Sequence, residues 1–171
     1  MSDVIRVKDL SKHFGELKAV QQLSFSVGEG QVYGFLGQNG AGKSTTSRML
    51  MTLIEPTGGE IEIFGMNLRK HRKEILRQTG AIIEKPDLYK YLTAKENVRI
   101  FSRLSGVKAS EKQIMDQLSL VGLAGRADSK VKTYSQGMKQ RLGLACALVH
   151  NPGLIILDEP TNGLDPQGIA D

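Results

Sequence analysis

A chain of 171 residues with 40% hydrophobic content can bury one core, and its longest apolar stretches, 142–149 and 154–157, fall far short of the roughly 20 residues of a membrane span. The opening MSDVIRVKDL is charged from the third residue and has no signal-like apolar block, so a cytosolic protein is expected. Lysine and arginine number 23 against 18 acidic residues, a net charge of +5; part of the excess lies in RKHRK at 69–73, and without an aromatic-rich basic surface this reads as a solvated helix face, with no nucleic-acid partner expected.

Residues 4–10, 22–27 and 60–64 carry the alternation of half-buried strands, with Leu23, Phe25 and Val27 set between serines. Turns at 28–30 and 56–59 punctuate them. The apolar run 32–36 reads as a strand that launches GQNGAGKS at 37–44, which fits the phosphate-binding P-loop pattern in full. Gly37, Gly40 and Gly42 lack a β-carbon, so the backbone can take positive φ and close its N–H groups around phosphate oxygens. Lys43 supplies a fixed cation, Ser44 a hydroxyl for Mg2+, and Thr45 one more hydroxyl donor; Asn39 and Ala41 complete the loop. A helix predicted over 42–54 points its positive end at the same phosphates, so a nucleoside triphosphate is the expected ligand. No N-K-x-D guanine-reading motif occurs in the sequence.

Residues 79–83 and 154–157 are continuous apolar runs, the composition of strands buried on both faces of a parallel sheet. From about 93 to 127 lies a mostly helical insert: Thr93 with Glu96 makes a capping box, and Ser110 followed by Ile114, Met115, Leu118 and Leu120 keeps helical spacing. The single cysteine, Cys146, sits in the apolar helical stretch 142–149 and reads as core filler. LIILDE at 154–159 ends a strand in two adjacent carboxylates, the Walker B arrangement. Successive side chains at a strand end point different ways, so Asp158 is expected to orient water on Mg2+ while Glu159 faces the attacking water as general base.

YSQGMKQR at 134–141, followed by LGLACALVHNP and the Walker B strand, resembles the signature motif of ATP-binding cassette proteins, usually LSGGQ followed by x-Q-R, and GLDP at 163–166 matches the family's D-loop. The resemblance spans essentially the whole chain. It implies an α/β fold: a P-loop NTPase core with a mostly parallel sheet, an N-terminal antiparallel β layer and a helical subdomain at about 88–134, within one incomplete nucleotide-binding domain, 1–171. It implies ATP and Mg2+ as cofactors, with Phe14 of KHFG stacking on adenine beside the P-loop residues, Ser44, Glu84 and Asp158 around the metal, and Glu159 as catalytic base. Two copies would face head to tail, so that Ser135, Gln136 and Gly137 of one close over the ATP of the other, with Asp165 of the D-loop alongside; hydrolysis then reopens the pair. A transmembrane permease would hold the chain, cytoplasmic and peripheral, at the inner face of the cell membrane. Gln136 and Met138 depart from the commoner Gly and Gln, which leaves the phosphate contact intact and opens the question of the ribose-side contact.

Most relatives carry glutamine where this chain has Glu84, in AIIEKPDLYKYLTAKENV; a glutamate there resembles the subgroup that exports, or confers immunity to, lantibiotics and bacitracin-like peptides. Residues 85–97 would receive the permease's coupling helix. Two plainer readings stay open: Glu84 as the cap of an exposed turn before Pro86, and Phe14 as a core residue at a strand end. The family's switch histidine has no counterpart up to Asp171, and His13, His71 and His150 sit elsewhere, so either the natural protein continues or this form hydrolyses ATP poorly. The expected function is the ATP-hydrolysing motor subunit of an exporter of peptide-like or hydrophobic substrates, the alternatives being a soluble non-transport cassette ATPase and a nucleotide-binding module without turnover.

Overall fold

Alternating apolar and polar side chains draw β1 (Asp3–Phe14) and β2 (Leu17–Gly28) into an antiparallel hairpin, with Ile5, Val7, Leu10, Val20 and Val27 on the buried side. The computed structural model describes residues 3–160, so the D-loop expectation, Asp165 included, lies outside the described residues. The chain forms two compact units, Met1–Leu76 and Arg77–Asp171.

In the first unit, α1 (Lys43–Leu50) follows the P-loop, and β3 (Gly58–Ile63) and the short β4 (Met66–Asn67) complete an antiparallel sheet in the order β2-β1-β3-β4. The β1–β3 register sets Ile5 opposite Ile63 and Val7 opposite Ile61, so the apolar members of both strands share one face. The basic run 69–73 is exposed throughout, as expected, and its last residues start α2 (Arg72–Arg77).

In the second unit, β5 (Thr79–Ile82) and β6 (Leu154–Leu157) pair in parallel, from Thr79 opposite Leu154 to Ile82 opposite Leu157. Parallel strands need a crossover, and the residues between them supply α3 (Ala94–Leu104), α4 (Glu111–Leu120) and α5 (Gln136–Leu148). Both capping boxes form. Thr93 Oγ1 accepts from the Glu96 N–H at 3.2 Å while the Glu96 carboxylate accepts from the Thr93 N–H at 2.7 Å, and Ser110 with Gln113 repeats the pattern. Val98, Ile114, Leu118, Leu142 and Cys146 meet in the core of this helical part, which makes Cys146 the core filler expected.

Three expectations are corrected. Residues 32–36 belong to neither sheet. The Tyr33 and Phe35 rings pack on Phe25 of β2, with centroids 5.5 and 5.6 Å apart, while Val32 and Leu36 are 102% and 92% exposed. An apolar run becomes a strand only when a neighbour takes its backbone hydrogen bonds, and among the described residues this run is engaged through the rings of Tyr33 and Phe35 and its backbone is not laddered. Helix α1 stops at Leu50 because Thr52 takes a left-handed φ of 57°. In β6, Ile156 is buried but Ile155 and Leu157 are partly exposed, since a two-stranded sheet covers less of each strand than the sequence pattern anticipates.

Candidate functional site

The P-loop is built by its glycines. Gly40 and Gly42 have φ of 83° and 86°, and Gly42 precedes the first residue of α1. A β-carbon on Gly42 would lie 2.5 Å from the Ala19 carbonyl oxygen and 2.9 Å from Val20 Cγ2, so the loop is pressed against β2 where no side chain fits. Lys43 Nζ folds back and donates to the carbonyls of Gly37 at 2.8 Å and Gln38 at 3.0 Å. Ala41 N–H also donates to the Gln38 carbonyl. Ser44 and Thr45 follow in the first turn, half-buried, and the helix N-terminus carries no acidic side chain. A cationic ammonium, bare N–H groups and a positive helix end together suit a polyphosphate. A cavity of about 510 Å³ in this unit lies at the other end of α1, between Thr52, Leu68 and Arg72, and is separate from the loop.

Phe14 ends β1 with 48% of its surface exposed, and Lys12 Nζ stands 4.9 Å from its ring centre. The ring is therefore presented on the surface rather than in the core.

In the second unit the carboxylates gather at the carboxyl ends of the parallel strands, the edge at which open α/β sheets take their ligands. Past the last pair, Ile82 with Leu157, the chains run on through 83–84 and 158–159, and the Asp158 N–H still donates to the Ile82 carbonyl at 2.9 Å. Asp158 is 5% exposed, and its Oδ2 is buried with no hydrogen-bond partner among the described residues. A buried carboxylate oxygen is costly unless a cation or water satisfies it, so Asp158 fits a Mg2+ ligand, held directly or through water. Glu84 and Glu159 are exposed and both left-handed, with φ of 66° and 49°. That conformation costs a non-glycine residue on the order of 1 kcal/mol and persists where the surroundings impose it. Among the described residues no three His, Cys, Asp or Glu are placed to hold a metal ion.

Ser135 caps α5, its hydroxyl accepting from the Met138 N–H at 3.2 Å, and Gln136 and Gly137 form the first turn. The helix thus presents an uncrowded N-terminus with Ser135 and Gln136 exposed. One residue escaped the sequence reading. Asn97, fully buried in α3, accepts from the Tyr89 N–H and donates to the Tyr89 and Thr93 carbonyls, so it holds the segment that precedes α3. Its signal was a polar side chain on the apolar face of an amphipathic helix.

A left-handed glycine loop that opens a helix, and a buried aspartate at the end of a parallel strand, define a P-loop nucleotide-binding α/β protein. The sequence pattern of the ABC transporter family matches residues 20–162, and the chain belongs to that family. It is 52% identical, over its whole length and 56% of the relative's, to the bacitracin transport ATP-binding protein of Bacillus licheniformis. It is 42% identical to the lantibiotic transport ATP-binding protein of Streptococcus pyogenes, with 98% of this chain and 71% of the relative covered. Its fold matches the solved ATP-binding subunit of an ABC transporter with a TM-score of 0.84 at 35% identity, covering 98% of this chain and 70% of that one. A dimeric ATP-binding cassette bound to ADP and Pi matches with a TM-score of 0.85 at 27% identity, covering 96% and 77%. The chain spans about half the length of the first curated relatives, 56% in the case of the Bacillus licheniformis protein. No helix among the described residues is long and apolar enough to cross a membrane.

Proposed function

We propose that this chain is the ATP-binding and ATP-hydrolysing motor subunit of a membrane exporter whose transported substrate is a peptide antibiotic of the bacitracin or lantibiotic kind. The observation that carries this reading is the loop at 37–44, with Gly40 and Gly42 left-handed at the start of α1 and Lys43 folded over it. When ATP binds, Lys43 exchanges the carbonyls of Gly37 and Gln38 for phosphate oxygens, and Asn39, Ala41 and Thr45 complete the cradle. Phe14, already at the surface, offers its ring to the adenine.

Ser44, Asp158 and Glu84 hold Mg2+, which supplies charge neutralisation on the transferred phosphoryl group when bound. Glu159 takes the proton of the attacking water. Ser135, Gln136 and Gly137, at the N-terminus of α5, act on the ATP of a second copy, so that two copies pair head to tail when ATP-bound. The exposed Tyr89 and Tyr91, within residues 85–97, belong to the surface that receives the permease, through which the chain works on the cytoplasmic side of the membrane. The bacitracin and lantibiotic relatives, together with a glutamate at position 84, support the substrate class.

Two substitutions test the reading. Lys43→Ala is expected to abolish ATP affinity by calorimetry with the circular dichroism unchanged, and undiminished binding overturns the P-loop assignment. Glu159→Gln is expected to keep ATP binding and to lower turnover about a hundredfold or more. Normal turnover in that variant removes Glu159 as the base.

A further inference from the structure

A left-handed Glu84 needs something that fixes it, and the structure provides it two residues on. Pro86 is seated against α5 at Gly143, so closely that a β-carbon on Gly143 would fall 2.6 Å from Pro86 Cβ and 2.8 Å from its Cγ, with Ile82 Cδ1 at 3.4 Å. Gly143 is buried in mid-helix, where glycine carries a conformational cost that alanine does not. Its position is explained by the pyrrolidine ring it admits. Glu84 is held from both sides of the chain: Ile82 is pinned in the β5–β6 pair, and Pro86 is wedged into the helix. Pro86 also restricts Lys85 to extended backbone, which leaves the intervening segment few alternatives.

We infer that Gly143 is a positioning residue for the metal site: by receiving Pro86 it fixes the left-handed backbone of Glu84 and so aims the carboxylate at Mg2+. The inference rests on the Mg2+ role proposed above for Glu84. Gly143 stands eight residues beyond Ser135 on one helix, so the residues proposed to act on the second copy's ATP and the residue that positions Glu84 ride on the same rod, about 12 Å apart.

A double-mutant cycle tests it, read by the Mg2+ dependence of ATP binding in calorimetry and by Mg2+ titration of ATPase activity, with Gly143→Ala, Pro86→Ala, Glu84→Gln and each of the first two combined with the third. Gly143→Ala, by pushing Pro86 away, and Pro86→Ala, by opening a gap, are both expected to raise the half-saturating Mg2+ concentration about three- to tenfold, in the range of coupled contacting residues. In the Glu84→Gln background neither is expected to raise it further. If both single variants titrate as wild type, or if their effects add in full to that of Glu84→Gln, Gly143 does not act through Glu84 and the inference fails while the role of Glu84 stands. An unchanged titration for Glu84→Gln itself overturns the reading of Glu84 and the inference with it. Should Gly143→Ala not fold, Pro86→Ala carries the cycle alone, since it introduces no clash.

Discussion

His150, just past α5, lines a hollow with Thr79 and Ala147, where burial pushes its imidazole pKa below the ordinary 6.5, opposed in part by the Thr79 backbone. The fold therefore favours the neutral ring, and the unfolded chain binds the extra proton first. Stability from this residue is complete above the unfolded value and is lost as pH falls from there through the folded value. Thermal melts between about pH 7.5 and about pH 5.5 are expected to show a fall in Tm that His150→Gln reduces, and an equal fall in both proteins removes His150 from the account. Cys146 is the uncharged counterpart, its thiol pushed by burial up to about 12, so it stays protonated in the core. At this scale the sequence was most legible where chemistry is local. Eight consecutive residues specify the P-loop, and Cys146 among apolar neighbours declares itself core. The orphaned Oδ2 of Asp158 and the left-handed backbones of Glu84 and Glu159 depend on surroundings drawn from distant parts of the chain, and no window around them discloses it.

Among the elements, α3 shows how a polar residue can hold more than its apolar neighbours. Truncating Asn97 to alanine leaves the Tyr89 N–H without its acceptor and takes one donor each from the Tyr89 and Thr93 carbonyls, which keep the backbone N–H groups of residues 92 and 97, so Asn97→Ala is expected to lower stability by about 1–3 kcal/mol in urea unfolding. A loss within about 0.5 kcal/mol shows that water replaces the amide there. Strands with alternating side chains and helices with Ser or Thr caps were readable in advance because their signals are written within a few residues, as at Thr93 and Ser110. The run at 32–36 was not. Its apolar side chains state that a strand can form, and only a neighbouring strand decides whether one does.

For the molecule as a whole, Val32 and Leu36 are apolar side chains turned almost entirely to solvent beside a chain of net charge +5. Self-repulsion of that charge is weak once salt screens it, whereas apolar contact is not. The 171-residue chain is expected to self-associate more as salt is raised, and Val32→Ser with Leu36→Ser to reduce that association in sedimentation; no difference between the proteins assigns the association elsewhere. The family was legible from the order of short motifs, while the division into units at Leu76 and Arg77 falls inside a helical segment that no linker composition marks. The parallel pair β5–β6 also has a consequence in time. Thr79 meets Leu154 only after the 75-residue step between them has been made, so among the described residues this pairing is one of the late contacts of the unit to become available during synthesis. At about 5–20 residues per second, β5 waits roughly 4–15 seconds on the ribosome with its edge unmatched, while the capped helices between form locally within microseconds. The nascent chain is therefore at its most vulnerable to wrong strand partners in that interval, and it is the arrival of Leu154–Leu157, rather than of any helix, that ends it.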